Sequence, residues 1–156
     1  RFIMLNRSND VELEFDFNKV TEKSKENPIF YVQYAYARIN SIFRLLKINI
    51  ENKINLKNEI FCLNNYELEI LRKISEWPRC IEISSNKLEP HRIPYYLYEL
   101  ATLFHSYWNL GKENEEFRFI KNNKPRNISR LILLQSLAIV IRNGMSLLGV
   151  SAPKSM

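Results

Sequence analysis

The sequence predicts an all-α protein, an antiparallel helical bundle with three long helices and two or three short ones. Two long stretches carry apolar residues in steps of three and four. They are Ile29, Val32, Tyr36, Ile39, Phe43 and Leu46, and Leu131, Leu134, Ala138, Ile141, Met145 and Leu148. That spacing lines one face of a helix. Glycine is scarce, with 3 in 156 residues, and runs that alternate strictly as a strand would are short. At 46% hydrophobic and 26% charged, the composition suits one globular domain with a sizeable core.

Residues 1–26 are expected to be a connector. Arg1 is not a Met, and the apolar opening 1–5 reads as the middle of an element, so a longer chain is expected before it. Residues 7–10 read as a turn, and Val11 to Phe17 alternates like a short strand or extended linker. Asp16 or Asn18 caps a short polar helix that ends before Asn27-Pro28.

The first long helix is expected from Pro28 to Lys47, with Pro28 at a first-turn position where its missing N–H costs nothing. Ile48 to Leu63 lacks a period and reads as a loop. Tyr66 to Trp77 reads as an amphipathic helix with Leu68, Leu71, Ile74 and Ser75 facing one way and Glu67, Glu69, Arg72 and Lys73 outward, stopped by Pro78. Arg79 to Leu88 is a further short helix. His91 to Leu110 is the second long helix, with Gly111 as its stop. Lys112 to Pro125 reads as a mobile loop, with Lys121, Lys124 and Arg126 clustered. Asn127-Ile128-Ser129 caps the last helix, Gly144 lets a neighbour approach closely, and Gly149 ends it. The run Leu131 to Val140 is shorter than the ~18 residues of a membrane span, so no membrane partner is expected.

The net charge of +6 permits a polyanionic partner without requiring one. Catalysis finds little support. His91 and His105 have no metal-ligand spacing, and there is no phosphate-binding Gly loop or nucleophile elbow. His91 with Arg92 suits either a phosphate contact or capping and packing. Cys62 and Cys80 are far apart without a CxxC partner, as reduced, buried thiols of a cytoplasmic protein would be.

The stretch 27–43 holds four aromatic residues within positions 30–36. Tyr31, Tyr34 and Arg38, at i, i+3 and i+7, share a face roughly 130° from the core stripe. Two readings stand. The tyrosines pack against a neighbouring helix while Arg38 pairs with a Glu, or the face stacks unpaired bases and holds a phosphate. Phe104 and Trp108, at i and i+4, likewise suit core or stacking platform. A helical protein-interaction bundle with no RNA ligand is the alternative function.

Asn27-Pro28-Ile29-Phe30-Tyr31-Val32-Gln33-Tyr34-Ala35-Tyr36-Ala37-Arg38 resembles the signature of the arginyl-tRNA synthetases, at the start of their C-terminal anticodon-binding domain. Residues 1–17 resemble the segment after the family's KMSK-type loop. Glu89-Pro90-His91-Arg92 with Tyr96 to Ala101 resembles its middle helix, and Asn143 to Met156 its C-terminal ending. The resemblance implies a helical anticodon-binding domain at 27–156 and a parent enzyme that joins arginine to tRNA(Arg) using ATP. It implies RNA contacts by Tyr31, Tyr34, Arg38, Phe104, Trp108 and Met156. It also implies no catalytic, metal or cofactor site within this chain, ATP and Mg²⁺ belonging to a catalytic domain. The implied protein is monomeric and cytoplasmic, with tRNA(Arg) and the catalytic domain of the same chain as partners. HIGH and KMSK are absent from the sequence. Where the signature usually has a His, this chain has Tyr36, which falls on the core stripe.

Overall fold

The computed structural model describes residues 1–8, 16, 21–22, 24, 26–54 and 62–156. The expected strand at 11–17 and most of the short polar helix after it fall outside the described residues. Among the described residues, α-helices follow in this order: α1 Phe2–Leu5, α2 Pro28–Leu45, α3 Asn65–Ser75, α4 Trp77–Asn86, α5 Arg92–Glu113 and α6 Ile128–Leu147. A 3₁₀ turn at Glu115–Phe117 and a hairpin of β1 Ile120–Lys121 and β2 Lys124–Pro125 stand between α5 and α6.

Helix α5 is the hub, packed against α2, α3, α4, α6 and the 3₁₀ turn. Both apolar series lie where their spacing puts them. Val32, Tyr36, Ile39 and Phe43 of α2 are buried, as are all six from Leu131 to Leu148. Leu97, Leu100, Ala101 and Phe104 of α5 are fully enclosed between them, and Phe2 of α1 reaches the same core. A Cβ added at Gly144 would lie 2.7 Å from Leu97 Cδ2, so α6 and α5 meet where glycine leaves the room. Gly149, at φ +64°, closes α6 with Val150 N–H donating to the Met145 carbonyl, as a Schellman turn does. Although no apolar run is long, α6 as a whole is long and apolar enough to cross a membrane, and 61% of its most apolar window is buried in the bundle.

Several expectations are corrected. Pro78 does not stop α3; it stands in the first turn of α4, where a missing N–H costs nothing. Gly111 does not end α5, which continues to Glu113. Gly111 is buried because the Phe117 and Arg118 backbone lies 3.4 Å from where its Cβ would be. Residues 112–125 are not a bare loop but hold the 3₁₀ turn and the hairpin. Cys62 is exposed, while Cys80 is half-buried, and burial pushes its thiol pKa up.

Glu67 is the largest departure. It was expected outward and is 1% exposed. Its carboxylate accepts from Asn64 N–H at 2.9 Å, completing a capping box at the start of α3. It also accepts from the Tyr107 hydroxyl of α5 and pairs with Arg130 of α6. Arg130 in turn donates to the carbonyls of Glu116 at 2.6 Å and Arg118 at 2.9 Å. A buried charge is tolerated because it is paired and hydrogen-bonded. The network ties three helices to the segment that leads into the hairpin.

Candidate nucleic-acid interface

Tyr31, Tyr34 and Arg38 come to one face of α2, as their spacing requires, and that face lies along α5. The Arg38 guanidinium stands 4.1 Å from the Tyr34 ring centre and 5.0 Å from that of Trp108. It donates to the Tyr34 hydroxyl at 2.9 Å and to His105 Nδ1 at 3.0 Å. Phe30 extends the series, stacked on Tyr34 at 5.9 Å with rings 17° apart. The result is a ladder from Phe30 through Tyr34 and Arg38 to Trp108. A cation held between two ring faces gains from both quadrupoles, and its remaining N–H groups stay available to a ligand oxygen.

His105 holds the ladder in place. Arginine can only donate, so Nδ1 accepts, and the Nε2–H donates to the Tyr31 carbonyl at 3.1 Å. The ring is 4% exposed and packs against Tyr31 at 4.4 Å between centres. Burial, aided by the neighbouring Arg38 charge, pushes its pKa down to about 4 from the ordinary 6.5, so the ring is neutral above that range. On acidification the unfolded chain therefore takes up this proton first. His105 makes stability fall as pH drops from about 6.5 towards about 4. His105→Gln offers a neutral donor and acceptor in the same place. The stability advantage of wild type over this variant, read by urea unfolding, should shrink through that window; a gap independent of pH contradicts the assignment.

Tyr31 and Tyr34 thus do pack against a neighbouring helix, yet both keep part of their surface in solvent. Arg38 does not pair with a Glu. Among the described residues it makes no ion pair. Trp108 is half-buried. Phe104 is corrected: it is fully buried and stacks on Phe119 at 6.0 Å, so it supports Trp108 from inside and offers no face to a base. The tail returns along α2, with Gln33 donating to the Ser151 carbonyl at 2.8 Å and Arg44 to that of Lys154 at 2.6 Å. Those two positions lie about 120° around α2 from the Tyr34–Arg38 face. Met156, at the tail's end, is 55% exposed, and the described contacts do not join it to the ladder.

The sequence reading missed Phe30, His105 and Tyr98, whose ring packs on Tyr31 at 5.3 Å. Tyr98 and His105 are seven apart on α5, and that spacing was the available signal. Beyond Trp108 lies an apolar pocket of about 420 Å³, lined by Ile42, Trp108, Phe117, Phe119 and Ile120 with Lys112 and Arg118 among them. His91 stands apart, about 20 Å along α5 from His105, beside Tyr95, while Arg92 pairs with Glu89.

Residues 32–156 match the family model described as the DALR anticodon binding domain. The chain is 56% identical over 156 residues to the arginine–tRNA ligase of Pelagibacter ubique, covering all of this chain and 27% of that protein. It is 44% identical over 163 residues to the arginine–tRNA ligase of Rhizobium meliloti, covering 28% of it. The arginyl-tRNA synthetase structure of Thermus thermophilus matches 99% of the chain and 25% of its own length, at 25% identity and a TM-score of 0.73. A Campylobacter jejuni structure provisionally named an arginyl-tRNA synthetase does so at 29% identity and a TM-score of 0.78, over 99% of this chain and 32% of its own. The chain therefore spans between a quarter and a third of the length of these relatives.

Proposed function

We infer an RNA-binding role from one premise: the chain belongs to the DALR anticodon binding domain family. On this reading residues 27–156 hold the anticodon arm of an arginine tRNA, and residues 1–26 connect them to the rest of an arginine–tRNA ligase. That protein would activate arginine with ATP and Mg²⁺ outside this chain, as a cytoplasmic monomer. No step of that chemistry is assigned to a residue here.

The observation that supports the reading most is Arg38 between Tyr34 and Trp108. Splayed bases stack on aromatic faces, and an arginine beside them meets the phosphate or a base edge. A fixed, neutral His105 keeps Arg38 pointed without competing as a second cation. Tyr31, Tyr34, Arg38 and Trp108 are the proposed contacts. Phe104 acts through Trp108, and Met156 joins only if the tail closes over the bound loop.

Salt dependence tests the role. The affinity of the intact protein for an arginine anticodon stem-loop should fall steeply as salt rises. About three neutralised phosphates would give a log–log slope of about −2 to −3. A flat response would instead favour an apolar protein-interaction surface, for which exposed Leu45 and Leu147 are among the anchors.

A further inference from the structure

The hairpin between α5 and α6 has a charge arrangement that the folded chain alone does not explain. Its register sets Lys121 directly opposite Lys124. Asn122 and Asn123 make the turn, at φ 51° and 56°, both in the left-handed region that a type I′ hairpin turn uses. Side chains directly opposite in such a pair lie close together, and like charges there destabilise the hairpin. Both lysines are exposed. Among the described residues Lys121, Lys124 and Arg126 form no ion pair. Of the nearby acids, Glu115 is paired with Arg118 at 2.8 Å, while Glu113 and Glu116 are exposed at the other end of the segment. Arg118, Lys121 and Arg126 line one small cleft of about 130 Å³ with Glu115, Ile120 and Asn122.

The hairpin is also fixed in place. Arg126 N–H donates to the Phe119 carbonyl at 2.9 Å, closing its base. Arg130 holds the Glu116 and Arg118 carbonyls, which ties the segment to the buried Glu67. Phe119 lies 6.2 Å from Trp108, and Ile120 shares the pocket with Trp108. A cationic turn is thus anchored beside the last rung of the aromatic ladder.

We propose that the 120–126 hairpin is a second RNA contact, electrostatic and indifferent to sequence, whose lysines take the phosphates flanking the nucleotides held at Tyr34, Arg38 and Trp108. This rests on the anticodon-binding reading and adds to it a division of labour. The ladder reads bases, and the hairpin holds backbone. A polyanion would also relieve the Lys121–Lys124 repulsion.

The test compares the intact protein, its Lys121→Ser/Lys124→Ser double variant and Trp108→Ala. Each is titrated with an arginine anticodon stem-loop and with one of changed anticodon, across a salt series. The double variant removes a repulsion from a surface turn and leaves the core untouched. It should reduce the magnitude of the salt slope by about 1 per lysine, so about 2 in all, and weaken both stem-loops alike, leaving their ratio unchanged. An unchanged slope overturns the hairpin proposal. So does a loss confined to the arginine stem-loop, since that would mean base reading. If the double variant binds as wild type while Trp108→Ala binds poorly, only the hairpin assignment fails. If wild type itself does not bind the stem-loop, the anticodon reading fails with it.

Discussion

Replacing Glu67 by Gln should lower the unfolding free energy by about 3–5 kcal/mol. The carboxylate is 1% exposed, and its partner Arg130 retains 10% of its side-chain surface. Removing one member of such a pair leaves the other charge buried without compensation, which costs more than the pair gained by forming. Four further bonds depend on the same oxygens or the same guanidinium. They are the capping bond from Asn64 N–H, the bond from the Tyr107 hydroxyl, and the grip of Arg130 on the Glu116 and Arg118 carbonyls. The tyrosine proton is itself held on, because burial and the facing Glu67 raise the Tyr107 pKa. Urea unfolding of wild type, Glu67→Gln and the double variant Glu67→Leu/Arg130→Met measures the effect. The double variant should regain part of the loss, since it strands no buried charge, while the Tyr107 hydroxyl and the Glu116 and Arg118 carbonyls still lose their partners. A single variant as stable as wild type would show that the network contributes nothing net. The same substitution should loosen the hairpin, because Arg130 is what joins it to α3.

Much of this fold can be read from spacing. The two apolar series are long enough that each fixes a helix and its buried face, and Gly144 announces the close approach that Leu97 makes. Tyr31, Tyr34 and Arg38 are likewise legible, because i, i+3 and i+7 is a local relation. What failed depended on distant partners. Glu67 shares a helical-wheel face with Ile70, Leu71 and Ile74, at i+3, i+4 and i+7, but its charge argued for solvent, and Arg130 and Tyr107 are what make its burial possible. Phe104 and Trp108 look equivalent as an i, i+4 pair, but Phe119 closes over Phe104 and leaves Trp108 half in solvent. His105 acquires its role from a carbonyl 74 residues away. The hairpin has two residues per strand and an Asn-Asn turn without glycine, too short for any period and lacking the usual Asn-Gly signal. Pro78 misled because proline suits a helix stop and a helix start alike, and Gly111 because glycine serves a close backbone approach within a helix as well as a stop.

Tyr34→Ala and Trp108→Ala should each weaken RNA binding by about 1–3 kcal/mol, roughly 5- to 150-fold in Kd. Each substitution removes one aromatic face and also one side of the slot that holds Arg38. Tyr34→Phe separates the two effects. It keeps the ring but removes the hydroxyl that Arg38 bonds at 2.9 Å, so its loss should be smaller, near the 0.5–1.5 kcal/mol that one hydrogen bond typically contributes. Trp108→Phe should likewise retain part of the stacking while keeping contact with Phe104 and Phe119. The deciding measurement is the Kd of the intact protein for an arginine anticodon stem-loop, taken for wild type, Tyr34→Ala and Trp108→Ala, with circular dichroism confirming that each is folded. The ladder, if it is the RNA-binding surface, gives at least a fivefold loss for both. Folded variants that bind the stem-loop as tightly as wild type would contradict it.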